Sequence, residues 1–321
     1  MDLILATADG QEERVLEEDL DLDIGKTNDF VLSASYGTWL GDIQTDKRIY
    51  IPGTEYGGII KYIRSATNTG RIEVKGFTWR GYLDKRIIVP PAGADYYMAS
   101  GELNSVIRAL VDIPGFVVPQ INTGVTVNYR FGRYVTVAQG LQAMLQTVGY
   151  RLDIKYIQTQ TGGYVQVQAA LAGNYGDAIE YSQDSMIDFA STDNQMGVNH
   201  LICLGKGELK DRLVVHLYTD KDGNISTTKT ITGIDEVVAT FENSGAEEDT
   251  LTDTGKKRLK ELRSGKSFTA SIKDVEQELF LGDTVSGVDY ITGNSVTKPI
   301  ADKIVKRTSG VISIDYKIEG E

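Results

Sequence analysis

Lys75-Gly76-Phe77-Thr78-Trp79-Arg80-Gly81-Tyr82-Leu83-Asp84-Lys85-Arg86-Ile87-Ile88-Val89-Pro90-Pro91 closes one kind of sequence and opens another. Just upstream, Arg71 to Val74 alternates polar and apolar side chains, the period of a half-buried strand. Gly57 to Ile63 leads into it through the turn residues Asn68-Thr69-Gly70, which is a hairpin signal. Within the stretch, Gly76 and Gly81 are expected to permit bends that a Cβ would forbid, and Pro90-Pro91 ends strand pairing. Trp79 is one of only two tryptophans and falls at the expected strand-to-loop corner, beside Arg80 and Arg86. A large ring at such a corner anchors a core edge by packing.

Working outward, residues 1–91 read as short strands, with Leu20-Asp21-Leu22-Asp23-Ile24 in clean alternation and Phe30-Val31-Leu32 beginning another. Short strands separated by Gly-rich turns predict a barrel or sandwich. Over 92–195 the period changes. Ser100 is placed to cap a helix with Leu103, Val106, Ile107 and Leu110 on one face, stopped by Pro114-Gly115. Thr136 and Gln139 form a capping-box pattern before the stripe Leu141, Met144, Leu145 and Val148, and Gly149 fits the turn that follows. Leu152 to Tyr156 and Val165 to Ala169, joined through Thr161-Gly162-Gly163, complete an α+β segment as an antiparallel hairpin.

Over 196–321 the β pattern returns: Leu201 to Leu204, Leu213 to Tyr218, Ile225 to Ile231, Phe268 to Ile272, Phe280 to Val285, Lys303 to Lys306, and Ile312, Ile314, Tyr316 and Ile318 in strict alternation. A helical insertion around 244–264 interrupts it. Ser244 and Glu247 read as its capping box, acidic residues fill its first turn, and Lys256, Lys257, Arg258, Lys260 and Arg263 lie toward its other end. Its apolar stripe is thin: Leu251, Leu259 and Leu262. The expected organisation is therefore α+β, mainly β: a β segment over 1–91, an α+β segment over 92–195 and a β segment over 196–321.

The chain has 321 residues, 41% of them hydrophobic and 24% charged, the balance of a globular protein with more than one core. Its net charge of −12 argues against a general nucleic-acid binder, which needs a basic footprint on phosphate. With Cys203 as the single cysteine, in an apolar run, no intrachain disulfide forms. No basic stretch followed by an apolar run marks a secretory signal, and no apolar run has the length of a membrane span.

The sequence carries no recognisable catalytic signature. The only histidines, His200 and His216, lie inside apolar strand patterns and read as structural. No Gly-x-Ser-x-Gly elbow occurs. Gly205-Lys206-Gly207 lacks the spacing and the following helix of a phosphate loop. Asp220-Lys221-Asp222-Gly223-Asn224 resembles a calcium loop but has its glycine two positions early and Ile231 where the bidentate glutamate belongs. With 45 Asp and Glu, any carboxylate pair picked by eye is uninformative. No catalytic residue, cofactor or metal ligand is assigned.

The opening stretch also carries a resemblance. Its Gly-x-Thr-Trp-Arg-Gly-x-Leu run ending in Arg-Ile-Ile-x-Pro is similar to the phage tail hub proteins of the siphovirus Gp37-like family. Tyr129-Arg130-Phe131-Gly132-Arg133-Tyr134, then Asn199-His200-Leu201-Ile202-Cys203-Leu204-Gly205-Lys206-Gly207-Glu208-Leu209, then Lys298-Pro299-Ile300 with Lys303-Ile304-Val305, follow in the family's order. The similarity runs from about Asp29 to the C-terminus; the first 28 residues, rich in Glu and Asp, depart from the pattern.

The resemblance implies two tail-tube-like β-barrel domains flanking the α+β domain, and a homotrimeric ring that adapts a six-fold tail tube to a three-fold tip around an axial channel. It implies, as partners, the tail tube or distal tail protein, the tape-measure protein and a spike or lytic tip protein, with no specific nucleic-acid binding and no membrane span. The location it implies is the tail of a virion or phage-like particle, after assembly in the host cytoplasm. Gly76, Trp79, Arg80, Arg86 and Tyr134 are the expected packing and interface positions, Tyr134 as a core anchor of the middle domain. The competing readings are a tail-associated cell-wall hydrolase, for which the second β segment leaves no room, and a host carbohydrate-binding module using some of the 17 tyrosines.

Overall fold

The computed structural model of the chain describes residues 1–37, 39–176, 180–182, 187–194, 196–263, 265–273, 277–291 and 293–320. It is mainly β, with 43% strand and 16% helix, and no closed barrel is found among the described residues. Two compact units divide it. The first joins Met1–Phe189 to Ala270–Glu319, and the second is formed by Ala190–Thr269.

In the first unit, the alternating Asp19–Ile24 is a strand whose Leu20, Leu22 and Ile24 are buried while Asp19 and Asp21 face water. Leu22 lies opposite Phe30 of Asp29–Ser35 on one side and opposite Val305 of Asp302–Thr308 on the other. Within one larger sheet, hydrogen-bonded neighbours therefore follow in the order Val311–Gly320, Asp302–Thr308, Asp19–Ile24, Asp29–Ser35, Arg71–Thr78, Gly57–Ala66, Arg48–Tyr50, Leu3–Ala6 and Glu12–Leu16. Strands from the segments 1–91 and 196–321 are thus hydrogen-bonded neighbours, a pairing across nearly the whole chain that local periodicity does not carry.

Two glycine readings are corrected. Gly76 makes no bend: it lies inside Arg71–Thr78 opposite Phe30 and Ile60, where a Cβ would sit 1.9 Å from the Ile59 carbonyl oxygen and 2.7 Å from the Phe30 ring. It is glycine so that the phenylalanine ring can lie across the backbone. Gly81 is not in a loop but in a short helix, α1 (Trp79–Asp84), where the missing Cβ admits the Asn28 carbonyl, 2.3 Å from where that Cβ would be.

The α+β layer of this unit follows the expected pattern with one exchange of roles. Helix α2 (Leu103–Leu110) is capped by Glu102 and not by Ser100, which lies in the strand Met98–Glu102 opposite Asn128 of Thr126–Arg130. The Glu102 carboxylate accepts from the Ser105 amide at 2.9 Å and from the Thr123 amide and hydroxyl at 2.9 and 2.8 Å. Burial works to raise its pKa, but these bonds outweigh it and lower it to about 2. Helix α3 (Val137–Gln146) begins as expected, with the Thr136 hydroxyl accepting from the Gln139 amide at 3.2 Å. The hairpin Tyr150–Thr159/Gly162–Leu171 is antiparallel, pairing Ile154 with Val167, and its Leu152, Ile154, Tyr156, Val165 and Val167 join Leu103, Ile107, Leu141, Met144 and Leu145 in one core.

In the second unit, a four-stranded sheet is ordered Ile225–Ser226, Val214–Thr219, His200–Leu204, Val238–Glu242. Helix α4 (Glu248–Leu262) covers one face, where Leu251 and Leu259 pack with Leu201, Cys203 and Leu217. The thin stripe is completed by a glycine: a Cβ on Gly255 would lie 2.5 Å from Cys203 Sγ. The capping box is not formed, since Glu247 is the N-cap and makes no side-chain cap bond; Glu248 and Asp249 in the first turn provide the charge complement instead. Two strands are shorter or shifted. The one expected over Ile225 to Ile231 ends at Ser226, whose hydroxyl accepts from the Thr228 amide. The one expected over Phe280 to Val285 begins at Thr284, in the first unit, because Asp283 closes a turn onto the Phe280 amide at 2.9 Å.

Candidate functional site

The strand Arg71–Thr78 ends where the Thr78 hydroxyl accepts from the Gly81 amide at 3.2 Å and starts α1. That turn aims Trp79 inward, 1% exposed and stacked on Tyr156 at 5.1 Å between centroids, with Tyr50 against the same tyrosine at 4.0 Å. Arg80 is also buried. Its guanidinium holds Glu55 through Nε at 2.7 Å and Nη2 at 3.2 Å, and reaches the Leu152 carbonyl at 3.3 Å. The two-pronged ion pair ties the corner to the loop at Glu55, and the bond to the Leu152 carbonyl ties it to the hairpin strand Tyr150–Thr159. Gly76, Trp79 and Arg80 therefore face the inside of their own unit.

Arg86 does not. The chain leaving α1 runs beside the start of α3, with Ile88 N donating to the Val135 carbonyl at 2.9 Å, Val137 N to the Arg86 carbonyl at 2.8 Å, and the Thr136 hydroxyl to Asp84 at 2.8 Å. The segments around Arg86 and Tyr134, remote in sequence, are thus laid side by side. Ile88 points down, against Gly140 and Phe131, while Arg86, Ile87, Val89, Arg133 and Tyr134 point out to solvent.

Tyr134 is the clearest correction. It is 56% exposed, with a left-handed φ of 55° and the Arg133 guanidinium 5.4 Å over its ring. The core anchor is Phe131, 1% exposed and edge-on to Tyr129 and Tyr97. The positive φ turns the backbone between them, so the two aromatics face opposite ways. Ile87 at 47% and Val89 at 57% exposure complete an apolar patch rimmed by arginines, which the sequence reading did not single out; their place in an alternating run with buried Ile88 was the available signal.

Elsewhere, ionisable groups are tied to one another. His200 Nδ1 lies 2.7 Å from Glu236, and its Nε2 lies 2.8 Å from His216 Nδ1. Lys303, buried against Tyr56, Phe280 and Tyr316, bonds Glu278 at 3.2 Å, and burial pushes its pKa down. The Asp220 oxygens close their own loop, accepting from the Asn224 side-chain amide and from the backbone amides of Asn224 and Asp222, bonds that hold its carboxyl below the ordinary range. Lys206 pairs with Glu247 at 2.6 Å on the surface. Among the described residues, no three His, Cys, Asp or Glu side chains converge as metal ligands. A shallow cleft of about 330 Å³ is lined by Tyr36, Trp39, Ile63, Ser65 and Ile72.

The architecture belongs to a defined class. The whole chain superposes on solved components of phage tails, so its fold is that of tail and baseplate proteins. A chain of the phage P2 baseplate in its activated conformation matches with a TM-score of 0.55 at 10% identity, over 98% of both chains. The 43 kDa tail protein of prophage MuSo2 from Shewanella oneidensis matches with a TM-score of 0.52 at 12% identity, over 99% of this chain and 98% of that one. No protein-family model matches the sequence, and no curated protein matches it.

Proposed function

We propose that this chain is a structural hub of a phage or phage-derived tail tip or baseplate, without enzymatic activity. The observation that carries the reading is the end-to-end correspondence with a P2 baseplate chain, which leaves almost no part of either chain unmatched. In this reading three copies form a ring that adapts a six-fold tube to a three-fold tip. The segments 1–91 and 196–321, the latter with its helical insertion, supply two tube-like β-barrel domains around an axial channel, and 92–195 lies between them. A ring closed by rotation uses two different surfaces of each copy. The patch of Arg86, Ile87, Val89, Arg133 and Tyr134 is one of them, apolar at its centre and rimmed by arginine as interfaces are. Gly76, Trp79 and Arg80 act on assembly indirectly, by holding that patch in shape. The partners are the tail tube or distal tail protein, the tape-measure protein and a spike or lytic tip protein, and the particle is the virion tail, assembled in the host cytoplasm.

The test is the molar mass of the purified chain by light scattering, alone and with tail tubes. The wild type is expected at about three times its 35.2 kDa. The variant Ile87→Asp/Val89→Asp should fall to the monomer with an unchanged melting temperature. A wild-type chain that stays monomeric and also fails to appear on tail tubes in electron micrographs refutes the hub.

A second reading rests on the cleft beside Tyr36 and Trp39: aromatic faces of this kind stack on sugar rings, as a host carbohydrate-binding module would require. Saturable binding to host glycans, lost in Trp39→Ala, would favour it over the hub.

A further inference from the structure

The sheet of the second unit buries Leu201, Cys203 and Leu217 beneath α4, so alternation sends His200 and His216 to the opposite face. The register sets Tyr218 opposite His200 and His216 opposite Ile202, which makes the two histidines diagonal neighbours on adjacent strands. His200 is 8% exposed, stacked on Tyr218 at 4.4 Å, and His216 stands at the surface. Glu236 accepts from His200 Nδ1 at 2.7 Å and from Lys229 Nζ at 2.7 Å. With its Nδ1 proton committed to Glu236, His200 presents the lone pair of Nε2 to His216 Nδ1 at 2.8 Å.

We propose that His200 and His216 form a two-imidazole site for a divalent transition-metal ion such as Zn2+, Ni2+ or Cu2+, with Glu236 positioning His200. Imidazole nitrogen suits these ions. A carboxylate behind the far ring nitrogen is the arrangement that fixes tautomer and orientation in histidine–metal sites. Two nitrogens bound to one tetrahedral ion at about 2.0–2.1 Å stand roughly 3.3 Å apart, so the ion takes the place of the shared proton if the pair opens by about 0.5 Å and one ring tilts. His216 is the ring that moves: it is exposed, and the bond to His200 is the one hydrogen bond its ring makes among the described residues. Water fills the remaining positions; as the ion enters, His216 gives up its Nδ1 proton to solvent and takes one from solvent at Nε2, so both rings ligate as neutral imidazoles. The site departs from the expectation of no metal because the fifteen intervening residues leave no recognisable ligand spacing; only the strand register brings the rings together. It stands independently of the hub reading.

The experiment is isothermal titration of tag-free full-length chain with Zn2+ and with Ni2+, followed by ring-proton NMR. One equivalent should bind saturably and shift the resonances of both histidines. His216→Ala, a surface change with an unaltered melting temperature, should weaken binding by at least about tenfold, and Glu236→Ala, which keeps both rings, by about 10–100-fold. Absence of saturable binding, or equal affinity in His216→Ala, overturns the proposal: the rings then hold only a proton, or the ion sits elsewhere on an acidic surface.

Discussion

Asp302→Asn should make the first unit more stable at neutral pH and should do so less in acid. Asp302 is 7% exposed, and its Oδ1 accepts from the Lys303 amide at 3.0 Å and the Lys26 amide at 3.3 Å. Burial first, and then the nearby Asp23, raise its pKa from 3.8 to about 6. A carboxyl with a raised folded-state pKa binds its proton more tightly when folded. Stability is therefore greatest below the unfolded value and is lost as pH rises toward 6. A shift of about 2 units corresponds to about 3 kcal/mol at pH 7, and the same linkage leaves only about 0.5 kcal/mol at pH 4. Asparagine keeps the accepting oxygen and carries no charge at either pH. Whatever its fixed offset, the stability difference between variant and wild type should move by roughly 2 kcal/mol in the variant's favour from pH 4 to pH 7. Urea unfolding followed by tryptophan fluorescence reads this unit selectively, because Trp39 and Trp79 both belong to it. Parallel stability–pH profiles for the two proteins would refute the claim that Asp302 is held against its ionised form.

Two further outcomes test the corner. Arg80→Ala strands Glu55 in a largely buried place and should cost about 3–5 kcal/mol, most of it recovered when Glu55→Gln is added; additive losses in that double-mutant cycle would show the pair is not coupled. Gly76→Ala pushes a methyl against the Ile59 carbonyl and the Phe30 ring and should cost about 3 kcal/mol or more, whereas Gly70→Ala, with nothing near its Cβ, should cost about 1 kcal/mol; equal melting temperatures for the two variants would contradict the close approach of those strands.

Much of this architecture was legible in the chain because it depends on neighbours in sequence. The alternation of Asp19–Ile24, the Thr136 cap of α3 and the hairpin around Gly162-Gly163 are local: side-chain period and turn chemistry decide them before any distant contact forms. The candidate surface was legible only in part. Trp79 and Arg80 read as packing residues and pack, while Tyr134 read as a core anchor and faces water, because one left-handed residue after Phe131-Gly132-Arg133 reverses the outcome and no periodicity encodes it. The α1 helix escaped notice since six residues are too few to show a helical stripe.

The sequence by itself determined the mainly β class of the fold, most of its strands and longer helices, and the lack of a recognisable catalytic constellation. Tertiary structure decided what lies beside what: Asp302–Thr308 against Asp19–Ile24, the Arg86 segment against Tyr134, and His200 against His216. The physical reason is that local preferences are set by each residue's own backbone and immediate neighbours. Pairings across tens or hundreds of residues are chosen only when burial and register are satisfied for the whole sheet at once.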